Sequence, residues 1–158
     1  MRNPKWTVDE LILALDVYFM LEPKDIVPSN PSIIELSELL RSLPIHKVRP
    51  DEERFRNANG VTMVLRNIAH LDPFFNGANL KHGSKLQEKV WSDFTNKREY
   101  LHRVAAAIRN CLPLPFEYSR AMDLDERDFI EGSILYQYHR YIETNEDRVK
   151  HLQNRAQA

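Results

Sequence analysis

Thr7-Val8-Asp9-Glu10-Leu11-Ile12-Leu13-Ala14-Leu15-Asp16-Val17-Tyr18-Phe19-Met20-Leu21 is the stretch that decides how this chain folds. Thr7 followed three residues later by Glu10 is a capping-box pattern, which places a helix start at Val8. From there to about Leu21, the side chains of Leu11, Ile12, Ala14, Leu15, Val17, Tyr18, Phe19 and Leu21 leave almost no polar face. A helix that is apolar nearly all round belongs at the centre of a core or in a subunit interface.

The helical period continues downstream. A second helix is predicted from Asn30 or Ser32, with Pro31 suited to its first turn and Glu35 to its third position. It carries the stripe Ile33, Leu36, Leu39, Leu40 and Leu43, and Pro44 ends it. A third runs from about Gly60 to His70, capped by Asn57 or Asn59, with Val61, Val64, Leu65 and Ile68 facing inward. Ser84 with Gln87 starts a fourth through Val90, Trp91 and Phe94, and Asn96 with Glu99 a fifth through Tyr100, Leu101, Val104, Ala105 and Ile108. Pro23 and Pro28 imply an extended link after the first helix, and Asp72-Pro73 breaks the third. Only 4 Gly and 9 Pro occur, the prolines falling between periodic segments, and no run alternates β-branched with polar residues for long. The expected fold class is all-α, a compact helical domain over residues 5–111 followed by a helical extension over 112–158.

Other classes fall away on composition. At 158 residues and 42% hydrophobic the chain can bury the core of one domain, or one domain plus an appendage. No apolar run approaches the roughly 18 residues of a membrane span. The start, Met1-Arg2-Asn3-Pro4-Lys5-Trp6, lacks the apolar stretch of a secretory signal. The single cysteine, Cys111, excludes an internal disulfide and every cysteine-cluster metal site. A soluble, cytoplasmic protein is expected.

The net charge of -1 conceals a pattern. Residues 1–45 hold four Lys/Arg against seven Asp/Glu, residues 46–109 twelve against seven, and residues 110–158 six against nine. Between Arg54 and Gln87 the only acid is Asp72, beside Arg54, Arg56, Arg66, Lys81 and Lys85. A basic window bounded by acidic flanks suits a polyanion, because phosphate contacts need cations without competing carboxylates.

Catalytic constellations are not found. Asp123, Asp125, Glu126, Asp128 and Glu131 read as a solvated acidic helix start rather than a cation site. Glu22-Pro23-Lys24 has the letters of a nuclease Glu-x-Lys but sits in a helix-exit loop, and His139 and His151 are too far apart to share one helical turn. Gly60, Gly77, Gly83 and Gly132 fit neither a P-loop nor a dinucleotide fingerprint. The chain alone is not expected to be an enzyme, and no metal or cofactor is expected.

What remains is the segment from Ser32 to Lys85: helix, polar connection, helix, then a basic Gly/Asn-rich loop. It is compatible with a helix-turn-helix-like core followed by a wing-like loop. Arg54, Arg56, Arg66, Lys81 and Lys85 are candidates for phosphates, with Ser84 at the start of the fourth helix. Asn57, Asn59, Asn67 and His82 are candidates for base or sugar contacts. Phe74, Phe75 and Trp91 could form an aromatic pocket for an extruded base.

Several of these blocks resemble a known family. They are Trp6-Thr7-Val8-Asp9-Glu10-Leu11-Ile12-Leu13-Ala14-Leu15-Asp16, Ile34-Glu35-Leu36-Ser37 to Leu43-Pro44-Ile45-His46, and Phe55-Arg56-Asn57-Ala58-Asn59-Gly60-Val61. With Leu71-Asp72-Pro73 and Gly83-Ser84-Lys85 through Val90-Trp91, they resemble the N-terminal head domain of McrA-type HNH endonucleases, bacterial type IV enzymes that restrict modified DNA. Glu131-Gly132-Ser133 through His139-Arg140 to Asn145 looks like the connection that precedes the HNH module in such proteins. The sequence ends at Ala158 before any HNH motif, as a truncated chain or a free-standing relative would. The resemblance implies a DNA-binding domain of a modification-dependent restriction system. It would recognise duplex DNA carrying a modified base such as methylated cytosine and direct an HNH nuclease to it. The alternative is an assembly domain without DNA contact, forming a homodimer through the first helix and the Tyr136/Tyr138/Tyr141 segment.

Overall fold

Thr7 opens the first helix through both halves of the expected box. Its hydroxyl accepts from the Glu10 amide at 3.3 Å, and the Glu10 carboxylate accepts from the Thr7 amide at 3.0 Å. The computed structural model describes residues 2–75 and 84–110. Within them the chain forms α1 (Val8–Met20), a 3-10 turn (Pro23–Asp25), α2 (Pro31–Ser42), α3 (Ala58–Leu71), α4 (Lys85–Phe94) and α5 (Arg98–Arg109). No strand occurs among the described residues, and the fold is an all-α bundle. Lys81, His82, Cys111, the extension 112–158 with its acidic and Tyr-rich stretches, and the loop glycines Gly77 and Gly83 lie outside the described residues.

Every residue of α1 from Val8 to Tyr18 is buried. The helix touches each of the other four, α5 most extensively. Ile12, Leu13 and Ala14 are wholly enclosed, and each large apolar side chain so buried contributes on the order of 1.5–3 kcal/mol. The apolar circumference is therefore spent inside the chain. This corrects the expectation that α1 offers surface to a second copy.

The buried polar groups of α1 fasten it to its neighbours. Tyr18 donates its hydroxyl to Asp72 Oδ2 at 2.7 Å, tying α1 to the end of α3. Asp16 lies 3.1 Å from His102 Nδ1 and 3.8 Å from Arg109 Nη2, tying it to α5. Glu10 reaches the connection between α2 and α3, residues 43–57.

Local chemistry sets the helix ends. Asn30 accepts from Ser32 N at 2.8 Å with Pro31 in the first turn of α2. Asn57, not Asn59, caps α3, accepting from Gly60 N at 2.8 Å, and Ser84 caps α4 from Gln87 N at 3.2 Å. Two expectations need correction. The link after α1 coils into a 3-10 turn because Pro23 already holds the φ a first helical residue needs. In α5, Asn96 is not the cap: Lys97 N donates back to Phe94 O at 2.9 Å, tightening the exit of α4 so that α5 starts at Arg98. The α2–α3 connection over 43–57 is also longer than the three- or four-residue turn of a compact helix-turn-helix.

Candidate nucleic-acid interface

The 43–57 connection is held by a small polar core of its own. Arg56 has φ 48, the left-handed region that costs a non-glycine residue about 1–2 kcal/mol. The surroundings fix it there. Ser37 Oγ donates to the Arg56 carbonyl at 2.6 Å, and Arg41 Nη1 donates to the neighbouring Phe55 carbonyl at 2.7 Å. The Arg56 guanidinium donates to both oxygens of Glu10 and, at 3.2 Å, to the Lys5 carbonyl. It lies 4.9 Å from the Trp6 ring and 4.7 Å from the Phe55 ring. His46 Nε2 stands 2.8 Å from Glu10 Oε1 and 3.1 Å from Arg56 Nη2, so that one nitrogen can donate to the acid or accept from the guanidinium, not both.

Burial pushes the Glu10 carboxyl up, but hydrogen bonds and charge from His46 and Arg56 outweigh it and hold the group below its ordinary value of 4.5. The Arg56 side chain is 4% exposed and the Glu10 side chain 1%. Arg56 is thus placed inside the protein, engaged by an acid, and presents nothing to a phosphate at the surface. Its work is to set the chain direction at the start of α3.

From that start, α3 presents one outward face. Asn59, Met63, Arg66 and His70 are exposed and recur at i, i+4, i+7 and i+11, one stripe of a 3.6-residue helix. The face carries no acid. Arg66 donates to the Ile26 carbonyl at 3.3 Å, which steadies its stem and uses one of its five donors. Asn67 lies beside this stripe, half-buried, its Oδ1 without a hydrogen-bond partner among the described residues.

The other candidates scatter. Arg54 is 82% exposed with Asp51 at 3.7 Å, a solvated pair. Ser84 and Lys85 are exposed at the first turn of α4, and Lys85 meets no acid among the described residues. Phe74 is 87% exposed, while Phe75 and Trp91 are half-buried against the core.

The aromatic candidates are only partly brought together. Phe74 and Phe75 line a surface hollow of about 210 Å³, walled also by Tyr18, Phe19, Asp72 and Arg98. Trp91 is not in it. It stands behind, edge-on to Tyr18 at 6.2 Å and tilted against Phe19 at 5.6 Å. The Arg98 guanidinium carbon lies over the Phe19 ring, 4.1 Å from its centroid. Sequence reading missed Arg98, Tyr18 and Phe19 as site residues. Tyr18 and Phe19 look like core stripe, and Arg98 arrives from another helix with no local motif.

Among the described residues no group of three or more His, Cys, Asp or Glu is placed to hold a metal ion, and no helix is long and apolar enough to cross a membrane. Set against family models, curated proteins and solved structures, the chain matches none of them.

Proposed function

We propose that this chain is a DNA-binding domain that lays the outward face of α3 against duplex DNA, in the service of a modification-dependent restriction system. The observation that carries the DNA reading is the acid-free stripe Asn59, Met63, Arg66 and His70 on one exposed helix face. A major groove about 12 Å wide admits such a helix. Arg suits guanine edges and phosphates, and Asn suits adenine edges. Met63, 56% exposed in the middle of the stripe, offers the apolar contact that a methyl group on a pyrimidine edge requires. Asp72, the one acid of the surrounding sequence window, is the C-cap of α3 and accepts the Tyr18 hydroxyl at 2.7 Å, outside the stripe itself. The restriction context rests on the resemblance of the sequence blocks to McrA-type head domains.

The test is fluorescence anisotropy with matched duplexes, unmodified, cytosine-methylated and adenine-methylated, each at two salt concentrations. Expected is salt-sensitive binding with a preference of about tenfold, or 1.4 kcal/mol, for the cytosine-methylated duplex. Arg66→Ala should lower affinity and reduce the salt slope by about one. Met63→Ala should erode the preference while leaving the slope alone. Absence of binding to every duplex at low salt would remove the proposal.

A further inference from the structure

The hollow at the C-terminal end of α3 has a chemistry distinct from the stripe along it. Phe74 stands at 87% exposure, an aromatic ring left in water directly after the helix ends. Its backbone is fixed, since the Phe74 amide donates to Asp72 Oδ1 at 2.9 Å while Oδ2 takes the Tyr18 hydroxyl at 2.7 Å. Both oxygens of the one acid in the hollow are therefore bonded within the chain. Arg98 is exposed, its guanidinium carbon 4.1 Å from the Phe19 ring centroid, and pairs with no carboxylate among the described residues. Contact with the ring holds its planar fork ready, so less freedom is lost when it meets an anion. At about 210 Å³ the space falls below the roughly 300 Å³ at which sites for drug-sized ligands begin, and it suits one ring system.

We propose that this hollow is a single-nucleotide site, in which an unpaired base stacks on Phe74 and the adjoining phosphate is held by Arg98. A flat face beside a pre-oriented guanidinium is the pairing by which single-stranded nucleic acid is gripped without regard to sequence. The inference rests on the nucleic-acid reading above, but uses other residues on another element. Tyr18 stays a neutral donor that keeps Asp72 in place, because burial and then Asp72 push its hydroxyl upward. The nucleotide can come from a strand or be free in solution, and the experiment separates the two.

The full chain is titrated with a labelled single-stranded oligothymidylate, with free thymidine monophosphate, and with the duplexes used above. Expected is strand binding that Phe74→Ala lowers about tenfold, the scale of one lost stack. Arg98→Gln should lower it too and reduce the salt slope by about 0.7, the share of one phosphate on a single strand. Arg98→Lys should recover the slope but not the full affinity, and Arg66→Ala should leave strand binding unchanged while weakening the duplex. Phe74 is on the surface, so its loss leaves the fold intact, and a melting curve checks this. If the free monophosphate binds as tightly as the strand and is equally sensitive to Phe74→Ala, the site stands as one for a free nucleotide. Strand and monophosphate binding that is absent, or indifferent to Phe74→Ala and Arg98→Gln, overturns the inference even where duplex binding survives. Loss of duplex binding alone, with strand binding still sensitive to Phe74→Ala, overturns the α3 reading and keeps this one.

Discussion

Glu10 carries three obligations with two oxygens: it closes the cap of α1, neutralises Arg56 and meets His46. Substituting Glu10→Gln leaves a buried guanidinium without its counter-charge, a change that typically costs about 3–5 kcal/mol. Urea denaturation should show the midpoint falling accordingly, with Arg56→Ala comparable. The dependence on pH has a definite sign. Because the Glu10 carboxyl titrates below its ordinary 4.5 in the folded chain, its contribution is complete above that value and is lost as the pH falls through the folded one. The stability gap between Glu10→Gln and the parent should therefore narrow on acidification and stay constant from neutrality down to about pH 5–6. A gap that widens in acid would contradict this assignment. In sequence, Arg54 and Arg56 look alike, two cations in one basic window. The structure separates them completely, since Arg54 is solvated and Arg56 enclosed. The sign that was available lay elsewhere: an acid in a helix with no polar face needs a partner, and that partner had to come from another segment.

Helix boundaries were the most legible feature, because caps are local chemistry. Thr7 with Glu10 and Asn30 with Pro31 do what their spacing implies, and Ser84 caps α4 through its own hydroxyl without a return bond to the Gln87 side-chain oxygen among the described residues. Asn57 and Asn59 could not be told apart from the letters, yet only Asn57 reaches an orphan amide. Asn57→Ala should cost about 1 kcal/mol and Asn57→Gly only a few tenths, read from thermal melts. Asn59→Ala should leave stability within about 0.5 kcal/mol, as surface changes do, and act instead on DNA affinity. The start of α5 was illegible for a different reason. The Thr95-Asn96-Lys97 turn is closed by backbone bonds to α4, so a neighbouring helix, not a side chain, decides where α5 begins. The same limit hid the hollow, whose walls come from α1, the end of α3 and the first turn of α5.

The described residues are organised around one helix. Leu13 is fully enclosed at the middle of α1, so Leu13→Ala should cost about 2–5 kcal/mol, whereas Met20→Ala, at 61% exposure, should cost little. Native-state hydrogen exchange should find the amides of α1 opening only with global unfolding. The all-α class was legible because that helix announced itself. What covers it was not, since among the described residues four helices share the task and the one that does most of it, α5, is the last of them. That separation has a consequence in time. At about 5–20 residues per second of synthesis, α1 leaves the ribosome several seconds before Arg98–Arg109 exists to cover it. A greasy helix in search of a wall is what holdase chaperones bind, so released chains that end before residue 98 should be captured by them, and those that include all of Arg98–Arg109 should let go.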